Sequence, residues 1–253
     1  MILAAGRGLR LLPHTRQMPK CLLEVGDGRS VLEHQLSAIE SVGGVDKVLI
    51  VLGHRATDVE ANLARIPRRL SVEVIFNPLF KESDSLFSLW LAMQRRDPEF
   101  LVMNGDTVFK PASLRQLLHA PSGDVLLLVS RRDPIRDDAV KVVTAGGRLL
   151  KLGKEIKTDS ATGESMGILR LLGAGTRDAT LLVDRMLRMP GGHRLQWNRL
   201  LKVMVDEGRP VTVGERPATD WFEIDRIADL ELTRRSIGES AGVDSAWPGE
   251  ESA

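Results

Sequence analysis

Residues able to handle an anion crowd the first twenty positions of the chain, MILAAGRGLRLLPHTRQMPK. Arg7, Arg10, Arg16 and Lys20 supply cations there, and no acidic residue stands among them. The apolar run Met1 to Ala5 reads as a buried strand, and Gly6 and Gly8 turn the chain at its end. A strand ending in a glycine turn points backbone N–H groups out at the carboxyl edge of a sheet. Such a nest, with cations beside it, binds phosphate. Two carboxylates further on complete a chemical set. Asp106 follows a short strand, and Asp225 stands between another short strand and a helix. If both loops meet the glycine turn at one sheet edge, the pair suits Mg²⁺, which takes one or two protein carboxylates plus phosphate oxygens and water. Glu223, on the same side of its strand as Asp225, is a third candidate ligand. Each has a plainer reading, a Gly-Asp turn for Asp106 and a helix N-cap for Asp225.

Two common phosphate loops are excluded. No Gly-Lys-Ser/Thr follows the glycines, so this is not a Walker loop. The dinucleotide fingerprint fails too: Leu11 holds its third glycine position, and the segment near Glu24 to Ser30 reads as a turn and a helix start. The whole string Leu3-Ala4-Ala5-Gly6-Arg7-Gly8-Leu9-Arg10, with Pro19-Lys20, resembles the signature of the nucleotidyltransferases that join a nucleoside triphosphate to a sugar phosphate or alcohol phosphate. Within that superfamily, four later stretches resemble the cytidylyltransferases acting on phosphocholine, aminoethylphosphonate or inositol phosphate. They are Asn77-Pro78 with Ser85-Leu86-Phe87-Ser88-Leu89, Asn104-Gly105-Asp106, Glu164-Ser165-Met166-Gly167-Ile168, and Trp221-Phe222-Glu223-Ile224-Asp225. The likeness covers about residues 1–235.

The resemblance implies roles. Lys20 would face the α-phosphate, where a compact ammonium meets charge gathering on the equatorial oxygens. The planar fork of Arg10 suits the leaving pyrophosphate. Arg7 and Arg16 are helpers or solvated charges. The base would rest on Leu3, Ala4 and Ala5, with Gly6, Arg7 and Gly8 around the phosphates. Ser83, Asp84 and Ser85 would finish that pocket, cap the next helix, or both. Where Asp84-Ser85-Leu86 stand, the sugar enzymes carry Gly-Thr-Ala, which favours a cytidylyltransferase. Lys154 would hold the acceptor phosphate, with Glu164 and Trp221 beside it, and Asp159 or Asp220 as further partners for an amine. A quaternary ammonium wants an aromatic cage. Aromatic residues make up only 4% and tyrosine is absent, which weakens phosphocholine as acceptor; Trp197 and Trp221 are the residues that could supply a cage.

The expected reaction is in-line displacement on CTP by an acceptor phosphate or phosphonate, with pyrophosphate leaving. Mg²⁺, Lys20 and Arg10 would orient the reactants and neutralise charge. A sugar-1-phosphate nucleotidylyltransferase using UTP, GTP or dTTP is the near alternative. A non-catalytic nucleotide-binding regulator is the alternative of another class.

Composition bounds the partners. Net charge is +1, so no global field favours nucleic acid or membrane. The one cysteine, Cys21, excludes an internal disulfide and reads as a small buried hydrophobe. The histidines form no metal-binding cluster. No apolar run reaches the ~18 residues of a membrane span. The first residues lack the leader of a signal peptide, so a cytoplasmic protein is expected.

The elements that must position these residues follow from pattern. Ser30 to Glu33 forms a capping box before a helix that stops at Gly43. Lys47–Leu52 is a strand buried on both faces. Thr57 to Glu60 reads as a second capping box, opening a helix to about Arg65. Ser71–Phe76 alternates as a third strand. A helix over Ser85 to Arg96, strands at 100–103 and 124–130, a hairpin at 140–152 and a strand at 166–171 follow. Helices near 176–189 and 195–206, short strands at 211–213 and 221–224, and a helix from Asp225 to about Arg235 complete the order. This predicts an α/β fold, a Rossmann-like doubly wound, mostly parallel sheet with a small antiparallel insertion at about 138–171 serving the acceptor. Residues 1–235 form one domain in this reading. The tail 236–253, with four acidic and no basic residues, reads as disordered.

Overall fold

The computed structural model describes residues 1–120, 123–132 and 134–241. β1 (Ile2–Ala4) leads into the glycine loop. The Ser30 box forms: the Ser30 hydroxyl accepts from the Glu33 N–H, the Glu33 carboxylate accepts from the Ser30 N–H, and α1 (Val31–Val42) begins. β2 (Lys47–Leu52) has the bounds that its apolar run sets. The second capping box does not form. α2 (Ala56–Leu63) starts two residues earlier, behind Arg55 in a left-handed conformation, and Asp58 is drawn into an ion pair with the Arg55 guanidinium. β3 (Ser71–Phe76), α3 (Ser85–Met93) and β4 (Phe100–Asn104) complete a β-α-β-α-β-α-β run.

Two elements escape the pattern reading. β5 (Thr107–Phe109) is three residues long, and α4 (Pro111–His119) opens on a proline at its first turn, where a missing N–H costs nothing. Then come β6 (Val125–Arg131), the hairpin of β7 (Lys141–Ala145) and β8 (Arg148–Gly153) turning at Gly146-Gly147, and β9 (Gly163–Leu171). α5 (Gly173–Leu187), α6 (Arg199–Asp206), β10 (Thr212–Pro217), β11 (Trp221–Glu223) and α7 (Ile227–Ala241) follow. The helix expected from Leu195 begins at Arg199 instead. The residues before it are committed elsewhere: the Leu195 carbonyl accepts from the Leu86 N–H, and the Trp197 N–H donates to the Ser85 hydroxyl at 3.0 Å.

Among the described residues nine strands make one sheet, in the order β3-β2-β1-β4-β9-β6-β10-β8-β7. β1 pairs in parallel with β2 and β4, and β10 in parallel with β6. β9 runs antiparallel between β4 and β6. The segment expected to form a small insertion therefore supplies the strand that joins the two parallel halves. Every residue of β9 is buried, as befits a strand covered on both faces. Leu86, Leu89, Leu182 and Leu200 bring α3, α5 and α6 onto one face; Leu32, Leu36, Leu114 and Leu117 bring α1 and α4 onto the other.

A third, small cluster matters most for the site. Leu11 and Leu23 from the opening segment pack with Val108 of β5, Ile224, and Leu230 and Ile237 of α7. It also corrects the expected tail. Ile237 needs burial, so Ser236 through Ala241 continue α7, while 242–253 lie outside the described residues.

Candidate active site

A cleft of about 440 Å³ opens at the carboxyl ends of β1 and β4. Leu11 is fully buried and pins the opening loop beneath it. Gly8 has φ of 62°, and a Cβ there would lie 2.9 Å from Thr15 Cγ2, so the turn admits only glycine. The Thr15 hydroxyl donates to the Gly8 carbonyl at 2.7 Å. Among the described residues, the N–H groups of Gly6, Arg7 and Gly8 have no protein acceptor. They form the edge of an anion nest, as the residue types predict.

Lys20 is the centre of the charge arrangement. Its side chain is only 15% exposed, and its ammonium donates to Asp106 Oδ2 at 2.5 Å and Asp225 Oδ1 at 2.9 Å. Burial works against that charge, but the two carboxylates outweigh it and raise the Lys20 pKa above the ordinary lysine value. Arg10 reaches Asp225 Oδ1 at 2.9 Å while staying half exposed to the cleft. Burial alone would raise the Asp225 carboxyl; Lys20 and Arg10 hold it below the usual range. Asp225 does not cap α7. Asp229 does so from inside the helix, accepting from the Asp225 and Arg226 N–H groups, which leaves the Asp225 carboxylate for the site.

Glu223 lines the same cleft. Burial, then the charges of Asp106 and Asp225, push its carboxyl up to about 7. Its partner is unexpected: Arg136 Nη2 donates to Glu223 Oε2 at 3.0 Å. Arg136 is itself held by Glu164, through the backbone N–H at 2.6 Å and Nε at 2.9 Å.

The donor set fits a divalent cation. Asp106 Oδ1 is buried without a hydrogen-bond partner, and Asp106 and Asp225 share one ammonium, so both converge on a single point of positive charge. Among the described residues no three His, Cys, Asp or Glu side chains form a metal cage. Two carboxylates completed by ligand oxygens match what Mg²⁺ takes. Glu223, the expected third ligand, lines the cleft with its Oε2 on Arg136.

The remaining predicted residues divide. Leu3, Ala5, Gly6, Arg7, Gly8, Ser83, Asp84, Ser85 and Lys154 line the cleft. Ala4 does not; it packs beneath Gly105, whose Cβ would meet Ala4 Cβ at 2.7 Å. Arg16 is exposed and outside the cleft. Asp84 caps α3, accepting from the Ser85 N–H at 2.6 Å, so it caps the helix and lines the cleft at once. The acceptor residues need correction. The Glu164 side chain is 0% exposed and bound to Arg136, and Trp221 is fully buried, so neither lines the cleft. Asp220 is buried against Lys110 and Arg216, and Asp159 is exposed on a turn outside it. In their place stand Asn104, Gln196, Trp197 and Asn198. The Trp197 indole N–H donates to Asn104 Oδ1 at 2.7 Å, fixing that amide. Asn104-Gly105-Asp106 was visible as a motif; Gln196 and Asn198 carry no local signal. Cys21 is buried, and burial pushes its thiol up to about 12, which makes it inert as a nucleophile.

A mixed α/β sheet with an amide nest at its carboxyl edge, facing a lysine between two aspartates, defines a nucleotidyltransferase. The chain matches the MobA-like NTP transferase domain over residues 1–163 and belongs to that family. A Rubrobacter xylanophilus protein named bifunctional IPC transferase and DIPP synthase is 28% identical over 93% of this chain and 51% of its own length. The CMP-5'-(3-aminopropyl)phosphonate synthase of Streptomyces rubellomurinus is 33% identical over 57% of this chain and 22% of its own length. The chain thus spans about half the first of these relatives and less of the second. The solved inositol-1-phosphate CTP transferase from T. maritima shares the fold, with a TM-score of 0.77 and 24% identity over 92% of this chain and 93% of that one. Among the described residues no helix is long and apolar enough to cross a membrane.

Proposed function

We propose that the protein is a Mg²⁺-dependent cytidylyltransferase of the cytoplasm, transferring CMP from CTP to a phosphorylated polyol and releasing pyrophosphate. The carrying observation is the Lys20 ammonium shared by Asp106 and Asp225 beneath free loop amides. A relative named for a CMP product supports cytidine, and the small residues Ala5, Ser83 and Ser85 leave room for a base.

In this reading the Gly6 to Gly8 amides and Arg10 take the β- and γ-phosphates. Asp106 and Asp225 would hold Mg²⁺, which supplies charge neutralisation across the triphosphate. Lys20 then turns to the α-phosphate, whose oxygens gain charge as the acceptor attacks. A phosphate monoester is already largely dianionic at neutral pH, its second pKa being ~6, so the acceptor needs no general base. Catalysis rests on alignment and charge, not on proton transfer.

The acceptor end favours an alcohol over an amine. Trp221 is walled off by two cations, Arg136 at 5.3 Å and Arg132 at 5.9 Å from its ring, so it offers no cage to an ammonium. Glu164 and Asp220 are spent on their own arginine and lysine partners. What remains is Lys154 for the phosphate, with Asn104, Gln196 and Asn198. Amides both donate and accept, which matches hydroxyl groups.

The test is pyrophosphate release from CTP, UTP, GTP and dTTP against polyol, amine and sugar phosphates. CTP with a polyol phosphate is the expected pair. Turnover with UTP, GTP or dTTP and a sugar phosphate instead would make it a sugar enzyme. CTP binding without pyrophosphate from any acceptor would make it a regulator.

A further inference from the structure

Beyond the acceptor end, the cleft continues into a second cavity of about 350 Å³. Lys154, Gln196 and Asn198 line both, so the two communicate through the residues assigned to the acceptor. The far walls are basic: Arg194 precedes the Trp197 loop, and Arg199 and Lys202 stand on the first turns of α6. The charge of Lys154 acts on Asp225 in the cleft; among the described residues Arg194 and Arg199 have no acidic partner, and Lys202 has only an exposed contact to Asp206 at 3.6 Å. Glu155 is the one acidic residue in the lining. Elsewhere on this surface arginines are commonly paired, as Arg95 is with Glu73 and Arg209 with Asp178. A concave run of cations with two unpaired arginines attracts an anion, and arginine forks are suited to phosphate or carboxylate.

We infer that this annex is an anion subsite for a second negatively charged group on the acceptor, a phosphate or a carboxylate beyond the one that reacts. The inference rests on the proposed acceptor reading: Lys154 meets the reacting phosphate, the amides of Gln196 and Asn198 meet the carbon skeleton, and Arg194 and Arg199 take the far anion. The same chemistry would also bind a free anion, and the experiment separates the two sources.

Calorimetry of the whole protein compares an inositol bisphosphate, an inositol monophosphate and inorganic phosphate, in wild type and in R194A/R199A. Both arginines are exposed, so the double variant keeps its fold. The expected result is at least tenfold tighter binding of the bisphosphate than of the monophosphate, a preference that R194A/R199A abolishes. Monophosphate affinity stays unchanged in that variant, as does its pyrophosphate release with CTP. Equal affinities in wild type, a preference that survives in the variant, equal weakening of both ligands, or no binding at millimolar concentration would each overturn the subsite. Inorganic phosphate that binds through the two arginines, with no preference for the bisphosphate, would overturn the assignment to the acceptor. Calorimetry needs no turnover: if no acceptor reacts with CTP, the proposed function fails while the binding preference still decides the annex.

Discussion

Lys20 is the counter-ion of Asp106 and Asp225 in the free protein, and in the proposed reaction it becomes a phosphate ligand. Lys20→Ala should therefore lower pyrophosphate release by roughly 10²–10³-fold, the scale of losing one group that meets developing charge. It should also lower the melting temperature, because two carboxylates lose their shared partner. Added Mg²⁺ should then restore more of the melting temperature in the variant than it adds to wild type; wild-type turnover in K20A would remove Lys20 from catalysis. Glu223 gives a pH signature. Its folded pKa of about 7 lies above the ordinary 4.5, so between those values the folded state holds the extra proton. Stability contributed by the neutral form is complete below pH 4.5 and is lost as pH rises toward 7. In chelator, wild type should lose more melting temperature from pH 5 to 8 than Glu223→Gln does, and equal losses would refute it. Asp106 and Asp225 were legible because each follows a short strand, and Lys20 because it closes the Pro19-Lys20 motif. Arg136 was not. Its partners Glu164 and Glu223 stand 28 and 87 residues away, and no spacing rule reaches that far.

At the scale of elements, the site depends on how β1 and β4 abut. Leu3 pairs with Asn104, and Gly105 follows where a Cβ would lie 2.7 Å from Ala4 Cβ and 2.8 Å from the Leu3 carbonyl oxygen. Gly105→Ala should cost about 1–3 kcal/mol in denaturant unfolding, as overpacking does, and should lower turnover by displacing Asp106. Leu11→Ala hollows the small cluster under the loop and should cost about 2–5 kcal/mol, with a rise in KM for the triphosphate larger than the fall in kcat. The bounds of β2 and β3 were readable because unbroken or alternating apolar runs end at polar residues. α4 was hidden by Pro111, which reads as a breaker yet sits where a helix tolerates it. The end of α7 was hidden because Ile237 is a lone apolar residue in a polar stretch, and only packing against Leu11 and Val108 explains its helix.

Over the whole molecule, alternation of strands and helices announced the α/β class, while the place of β9 depended on pairing that only three dimensions settle. Its position governs how the polypeptide can be divided. β4 and β6 are completed by a strand that arrives after the β7–β8 hairpin, and that hairpin leans on β9 through Lys141 and Val142. A break in the exposed turn after β8 would strand two sticky edges in one fragment and their missing mate in the other. Each half made alone should be insoluble, whereas co-expression should reconstitute turnover, as expected of a sheet that folds as one unit.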